Sequence, residues 1–166
     1  SERVDASQLV DLLDDIFSAF DHLANAYGVE KIKTIGDAYM AVAGLPEPRD
    51  DHAEAVAGMA LGMLEAFRGV MRNRGLSMEV RIGIHSGPVV AGVIGKHKFS
   101  YDLWGDTVNT ASRMESHGEP SRVHVSKGTY ALLQDRYRFT DRGEMNVKGK
   151  GMQQTYFLLG RHEESV

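Results

Sequence analysis

The sequence predicts an α+β fold in which helices pack on one face of a mainly antiparallel sheet. Apolar residues recur at helical spacing in some segments and alternate at strand spacing in the others. These segments follow the order helix, hairpin, helix, hairpin, helix, strand, helix, hairpin. Because a hairpin joins neighbouring antiparallel strands, this order favours an antiparallel sheet over a parallel one.

The composition is that of one globular domain. The chain has 166 residues, of which 42% are hydrophobic and 25% charged, and a chain of this length buries a substantial core. Its net charge of -4 argues against a protein that binds nucleic acid through a basic surface. No apolar run approaches the ~20 residues that cross a bilayer, and the absence of cysteine is compatible with the cytosol. We therefore expect a cytoplasmic domain with no membrane segment and no nucleic acid partner.

The chain begins with an amphipathic helix. Asp5 and Gln8 have the spacing of a capping box, and Gly28 is of the residue type that ends helices. The apolar stripe of this helix contains Leu9, Leu12, Leu13, Ile16, Phe17, Phe20 and Leu23. Such a stripe docks on a core.

A β-hairpin follows the first helix. Residues 29–35 and 38–43 are strand-like runs on either side of Gly36-Asp37, and a two-residue turn of this type joins antiparallel strands. Asp37 is therefore expected at the tip of the hairpin. Lys33 lies on the strand before it, where most lysines extend toward solvent.

A second helix and a second hairpin are predicted next. Asp50 and Asp51 are placed to cap the helix, and Gly75 closes it. Residues 78–85 alternate as a strand, and residues 88–94 are expected to pair with them across a Ser-Gly turn.

The segment 100–115 organises the rest of the chain. It is typical of a short strand, a glycine turn and the start of a helix. Asn109 and Arg113 are four residues apart, so they share one face of that helix. The residues expected to face the core are Val108, Ala111 and Ser112, with Met114 and Glu115 one turn on.

An amide and a guanidinium on one helix face suit a ligand that has sugar and phosphate oxygens. Arg113 has forked donors that match phosphate oxygens, and Asn109 can donate to and accept from a sugar oxygen. Asp102, on the strand that enters the same turn, is placed to meet the other end of such a ligand. The alternative is a surface helix on which the two residues are neighbours by chance, since polar pairs at this spacing are common.

The remaining elements are a strand, a helix and a last hairpin. Residues 122–126 alternate as a strand whose final serine is suited to cap a helix over 127–137. Residues 139–147 and 155–159 are expected to pair around the turn at 148–151.

Few other residues indicate chemistry. Asp37 at a hairpin tip can bind a hard cation such as Mg²⁺, but aspartate is also a common residue of such turns. Lys148 and Lys150, between glycines, can offer ammonium groups to a polyphosphate or form an ordinary basic turn. The seven histidines have neither metal-ligand spacing nor a nucleophile partner.

Three segments together resemble the class III nucleotidyl cyclase catalytic domain, in the style of the bacterial homodimeric adenylyl cyclases. They are residues 31–40, 101–115 and 146–151. The resemblance implies a catalytic domain over residues 1–160, followed by a C-terminal tail at 161–166. It also implies conversion of ATP to 3′,5′-cyclic AMP and pyrophosphate, with two Mg²⁺ or Mn²⁺ ions per site and a second copy of the domain paired head to tail.

The resemblance assigns roles to individual residues. It implies catalytic roles for Asn109 and Arg113, substrate binding by Lys33, Asp102 and Lys148, and metal binding by Asp37. A carboxylate that accepts and an ammonium that donates complement the N6 amino group and N1 of adenine. Guanylyl cyclases of this family usually have glutamate and cysteine at the positions of Lys33 and Asp102, so this sequence favours ATP.

One feature departs from the family pattern. The first metal aspartate of the family lies on an N-terminal strand of a ferredoxin-like sheet, and this chain begins after that segment. We therefore expect a ferredoxin-like sheet without the family's first strand. The alternative function is a catalytically inactive cyclase-like module that binds nucleotide or regulates a partner.

Overall fold

The structure is a computed structural model that describes residues 5–94, 100–147 and 149–162. It divides into two compact units, Ser1–Val80 and Arg81–Val166. Each unit contains helices and antiparallel strands, which confirms the α+β class. Within the described ranges, no helix combines the length and the apolar character that crossing a bilayer requires. The domain boundary at residue 160 stays a prediction, and the last strand continues to Arg161.

The first unit is a helix, a hairpin and a second helix, as predicted. Its elements are α1 (Ala6–Tyr27), β1 (Glu30–Ile35), β2 (Ala38–Val42) and α2 (His52–Arg74). The capping box is present, since the Gln8 N–H donates to the Asp5 carboxylate over 2.8 Å and the Asp5 N–H donates to the Gln8 side chain over 3.0 Å. Gly28 ends α1 in the left-handed conformation, with φ of 68°, which a residue with a Cβ rarely adopts.

The start of α2 differs from the prediction. Asp51 occupies the cap position, but its side chain makes no capping hydrogen bond. Its two carboxylate oxygens instead accept from the Arg49 guanidinium over 2.6 and 2.9 Å. A bidentate, charge-assisted pair is stronger than a bond to one neutral amide. Arg49 also donates to the carbonyls of Tyr27 and Gly28, so it joins the end of α1 to the start of α2.

The core of the first unit lies between α1, α2 and the hairpin. Its two buried clusters contain Leu12, Ile16, Phe20, Phe67 and Met71, and Ala24, Val29, Ala55 and Met59. Tyr39 of β2 packs against both clusters. Each large apolar side chain buried in this way contributes roughly 1.5–3 kcal/mol, so the hairpin is fixed to the helices through its inner face.

The second unit contains a four-stranded sheet and a separate two-stranded ribbon. Its elements are β3 (Ile82–Ile84), β4 (Val90–Ile94), β5 (Ser100–Trp104), α3 (Asp106–Ser116), β6 (Val123–Ser126), α4 (Lys127–Leu133), β7 (Tyr137–Val147) and β8 (Gly151–Arg161). The sheet has the strand order β3-β6-β8-β7, and β4 pairs with β5 in the ribbon. Of the strand pairings among described residues, that of β3 with β6 is parallel and the others are antiparallel. This confirms a mainly antiparallel arrangement and the predicted last hairpin.

The predicted hairpin between residues 78–85 and 88–94 is wrong. β3 has three residues and pairs in parallel with β6, so that Gly83 lies opposite His124. β4 pairs with β5 instead. Alternation along a strand indicates which side chains face a core, but it does not identify the strand that supplies the hydrogen bonds.

The buried face of helix α3 agrees only in part with the predicted one. Thr110 and Met114 are its buried residues. The close approach of β3 explains this orientation, because a Cβ on Gly83 would lie 2.5 Å from the carbonyl carbon of Met114. Of the residues predicted to face the core, Met114 is buried as expected, and the others are half-buried or exposed: Val108, Ala111, Ser112 and Glu115.

Helix α4 is shorter than predicted. The predicted cap is present, since the Ser126 hydroxyl accepts from the Thr129 N–H. The helix ends at Leu133, and Tyr137 begins β7 with 5% of its surface exposed. Burial of Tyr137 at the start of a strand therefore takes precedence over continuation of the helix.

Candidate functional site

The β1–β2 hairpin places Asp37 at its tip, as predicted. Ile35 pairs with Ala38, which leaves Gly36 and Asp37 as the turn, and Gly36 has φ of 58°. Asp37 is exposed, and it has no hydrogen bond or ion pair to the rest of the described chain. Its carboxylate is therefore accessible to a cation.

Lys33 lies on β1 and is half-buried. The pairing register shifts between Lys31 and Lys33, which is a β-bulge. A bulge changes the direction in which the neighbouring side chains project. The sequence pattern did not predict this irregularity, although it placed Lys33 on the correct strand.

A polar contact that the sequence pattern does not predict holds the hairpin against α1. The Tyr39 hydroxyl donates to the Asp21 carboxylate over 2.7 Å, and the Lys31 ammonium is 3.2 Å from the same carboxylate. Burial and this hydrogen bond raise the pKa of Tyr39 above its ordinary value of 10.0. Asp21 and Tyr39 are 18 residues apart in the chain, so no local pattern relates them.

Helix α3 presents Asn109 and Arg113 one turn apart, as predicted. Asn109 is exposed and Arg113 is half-buried. Neither side chain has a hydrogen bond or ion pair to another residue in the part of the chain that the structure describes. The amide and the guanidinium are therefore available to a ligand.

Asp102 lies on β5, which leads into α3 through Gly105. It is buried, with 9% of its surface exposed. The N–H of Leu103 donates to Oδ1 of Asp102 over 2.7 Å. A buried carboxylate needs such partners, and this bond fixes the orientation of the group.

The predicted triphosphate residue, Lys148, lies outside the described residues. The nearby Lys150 forms an ion pair with Asp106, with 3.0 Å between Nζ and Oδ2. This pair connects the turn after β7 with the first turn of α3. An exposed pair of this kind contributes only about 0–1 kcal/mol.

The described residues do not form a complete metal site by themselves. Within the described ranges, no three His, Asp or Glu side chains lie close enough to hold a metal ion. Asp37 nevertheless fits as a single ligand, because Mg²⁺ is usually bound by one or two carboxylates together with substrate phosphates.

His124 is a buried residue for which the sequence pattern predicts no role. It has 0% of its surface exposed. Its Nδ1 is 2.7 Å from the Met114 carbonyl oxygen, and its Nε2 is 2.8 Å from Oγ1 of Thr155. Burial lowers the pKa of His124, and the hydrogen bond to Met114 opposes that effect.

The stability of the domain should fall as the pH drops below about 6.5, the ordinary histidine pKa. Burial lowers the pKa of both His85 and His124, so the unfolded chain binds more protons than the folded chain in this range. Each histidine contributes a slope of at most about 1.4 kcal/mol per pH unit. Urea unfolding between pH 5.5 and 7.5 measures this slope. It should be shallower for His85→Asn and unchanged for the exposed control His22→Gln; equal slopes in all three proteins would contradict the assignment.

Comparison with known proteins identifies the family. A family model described as "Adenylate and Guanylate cyclase catalytic domain" matches residues 1–160. The chain belongs to this family. The predicted resemblance to class III nucleotidyl cyclases is therefore confirmed.

Two curated relatives of this cyclase domain carry different names. The chain is 47% identical to "Guanylyl cyclase, membrane" from Dictyostelium discoideum, over 95% of the chain and 10% of the relative. It is 46% identical to "Adenylate cyclase" from Mycobacterium tuberculosis, over 93% of the chain and 35% of the relative. The chain spans well under half the length of either relative. Similarity alone does not distinguish ATP from GTP as the substrate.

A solved structure is similar over nearly the whole cyclase domain. It is the guanylate cyclase domain of RhGC from Catenaria anguillulae in complex with GTP, with a TM-score of 0.90 and 40% identity. The similarity covers 98% of this chain and 89% of that chain. The fold is thus that of a nucleotidyl cyclase catalytic domain.

Proposed function

We propose that this domain converts ATP into 3′,5′-cyclic AMP and pyrophosphate. The observation that carries the proposal is the pair Asn109 and Arg113, one turn apart on α3 and without protein partners in the described chain. In the reaction a bond forms between the ribose 3′-oxygen and the α-phosphorus, and the bond from that phosphorus to pyrophosphate breaks. The hydroxyl proton passes to solvent. The protein contributes orientation and charge stabilisation.

Asn109 and Arg113 have complementary tasks in this proposal. The Asn109 amide hydrogen-bonds a ribose oxygen and so limits the directions from which the 3′-hydroxyl approaches. The Arg113 guanidinium contacts phosphate oxygens on which charge increases in the transition state. Thr107, in the first turn of α3, donates to the Pro88 carbonyl over 2.5 Å, which fixes the start of the helix that carries both residues.

Asp37 supports metal-assisted chemistry. Its exposed carboxylate would be one ligand of Mg²⁺ or Mn²⁺, the ions that the family resemblance implies at two per site. When bound, the ions supply Lewis-acid stabilisation of the 3′-oxygen and the phosphates. Lys148 is proposed to add an ammonium group for the triphosphate.

The choice of ATP rests on Lys33 and Asp102. In the proposal the Lys33 ammonium donates to N1 of adenine, and the Asp102 carboxylate accepts from the N6 amino group. The bond from Leu103 orients that carboxylate before the base arrives. Guanine has a donor at N1 and an acceptor at O6, so it places like groups against both side chains.

Product analysis tests the proposed function. The full-length protein is incubated with ATP or GTP and with Mg²⁺ or Mn²⁺, and cyclic nucleotides and pyrophosphate are quantified by chromatography and mass spectrometry. We expect cyclic AMP and pyrophosphate in equal amounts from ATP. Cyclic GMP as the sole product would contradict the choice of ATP. The absence of any cyclic product would contradict the cyclase activity.

We propose further that two copies of the domain pair head to tail. Lys33 and Asp37 lie on the same hairpin, yet the base and the metal-bound phosphates are at opposite ends of a nucleotide. Two copies resolve this difficulty if the hairpin of each copy contributes its lysine to one site and its aspartate to the other. A homodimer of this kind has two equivalent sites.

Mixed dimers should recover activity that neither variant has alone. An Asp37→Ala chain lacks the metal ligand, and an Asn109→Ala chain lacks the ribose contact, so a dimer with one of each has one intact site. Equal mixing should restore about a quarter of wild-type activity, because half of the dimers are mixed and each has one working site of two. Native mass spectrometry verifies that mixed dimers form. If they form without recovery, the sites are not shared.

A further inference from the structure

In the last turn of α3, the Met114 carbonyl is paired with a side chain of another element, His124. The neighbouring carbonyls, of Arg113 and Glu115, accept from backbone N–H groups just beyond the helix. The Met114 carbonyl between them lies 2.7 Å from Nδ1 of His124. The final carbonyls of a helix need such partners. His124 therefore caps the turn that contains Arg113.

The His124 ring is fixed from its other side by the sheet. It lies on β6 with 0% of its surface exposed, and its Nε2 is 2.8 Å from Oγ1 of Thr155 on β8. A carbonyl oxygen can only accept, so Nδ1 carries the proton that is donated to Met114. In the neutral ring, Nε2 then accepts from the Thr155 hydroxyl. The Met114 carbonyl thus sets the tautomer, and the sheet sets the orientation of the ring.

Strand β3 contacts the same turn of α3. Gly83 is the residue opposite His124 in the parallel pair, and a Cβ there would lie 2.5 Å from the Met114 carbonyl carbon. Arg81, just before β3, is 3.2 Å from the Glu115 carboxylate. The turn is therefore docked closely on β3 and hydrogen-bonded to β6.

We propose that His124 is a positioning residue, which sets the direction in which Arg113 projects from α3. Arg113 immediately precedes Met114, so any fraying or rotation of the capped turn moves the guanidinium. A displacement of about 1 Å is enough to lower a rate by ~10²-fold. The inference rests on the proposed function, because the position of Arg113 affects a rate only if Arg113 acts on the nucleotide.

Two substitutions separate the roles of the two ring nitrogens. His124→Asn keeps an amide N–H close to the position of Nδ1, whereas His124→Gln places its amide near Nε2 and leaves the Met114 carbonyl without a donor. We expect His124→Gln to lower kcat about tenfold or more while KM for ATP stays within about threefold. We expect His124→Asn to keep kcat within about threefold of wild type. His22→Gln, the same change at an exposed position of α1, is the matched control.

A purely structural role predicts a different result. Both variants would then lose thermal stability, but kcat per folded protein would be equal in His124→Gln, His124→Asn and wild type, and that outcome overturns the inference. If His124→Gln does not fold, Thr155→Val and Thr155→Ser replace the pair, since valine removes the hydroxyl that holds Nε2 and serine retains it. A lower kcat for valine than for serine supports the inference, and equal values overturn it.

Hydrogen exchange separates failure of this inference from failure of the proposed function. A wild-type protein that forms no cyclic nucleotide contradicts the proposed function. The cap is then judged by the exchange of the backbone amides of residues 113–118, which does not require activity. Faster exchange in His124→Gln than in His124→Asn supports a cap at this turn, and equal exchange overturns it.

Discussion

Arg113→Ala should lower kcat by about 10²-fold or more while KM changes far less. The guanidinium is half-buried on α3 and makes no hydrogen bond or ion pair to the described residues, so its donors are available to the phosphate oxygens. Charge on those oxygens increases as the 3′-oxygen attacks, and a donor that is used mainly in the transition state affects kcat more than substrate binding. Steady-state kinetics of cyclic AMP formation in the full-length protein measures both constants.

Two further variants give this measurement its controls. Arg113→Lys keeps the positive charge but loses the planar fork of donors, so its kcat should lie between those of alanine and wild type. Arg72→Ala removes an exposed arginine from α2 and should leave both constants unchanged. A rise in KM for Arg113→Ala with unchanged kcat would show that the residue binds the ground state only.

Wild-type protein should prefer ATP over GTP by about 10²-fold or more in kcat/KM, and the double variant Lys33→Glu, Asp102→Cys should lose that preference. GTP would leave at least two buried groups unpaired, each at a cost of roughly 1–3 kcal/mol. The double variant reverses the donor and acceptor pattern at both positions and should accept GTP. Its total activity need not reach that of wild type, since the swap also changes the local charge and packing at each of the two positions.

The ratio of kcat/KM values for the two nucleotides is the quantity to compare. Lys127→Glu reverses the charge of an exposed side chain at the start of α4 and should keep the wild-type ratio. This control separates base recognition from a general effect of charge. If the wild type uses both nucleotides equally, or if the double variant keeps the original ratio, Lys33 and Asp102 do not recognise the base.

The features predicted correctly depend on contacts between residues close in sequence. The two residues of the capping box, Asp5 and Gln8, are three positions apart. The Gly36-Asp37 turn lies between Ile35 and Ala38, which pair with each other. The strand, glycine and helix around Asp102 and Arg113 likewise follow from a short segment. In the candidate site, the neighbouring positions of Asn109 and Arg113 needed only the period of the helix.

The features that were missed depend on residues far apart in sequence. Asp51 is of a residue type that caps helices, but its carboxylate pairs with Arg49 instead. The Arg49 guanidinium is held in place because it also donates to a carbonyl at the end of α1. Thr110 was not expected to be buried on α3, whereas Met114 was, and Met114 packs with Met145 and Val147 of β7. A pattern along one segment contains no information on such partners.

The sequence by itself determined the α+β class, most of the elements, the family motifs and the order of the candidate site residues, because spacing, capping and turn chemistry act over a few residues. Tertiary structure alone decided which strands pair, how the hairpin is fastened to α1, and how α3 is capped. β3 pairs with β6 across some forty residues of chain, and His124 reaches the Met114 carbonyl only after α3 has docked on the sheet. Strand pairing and side-chain hydrogen bonds of this kind depend on which surfaces meet in three dimensions.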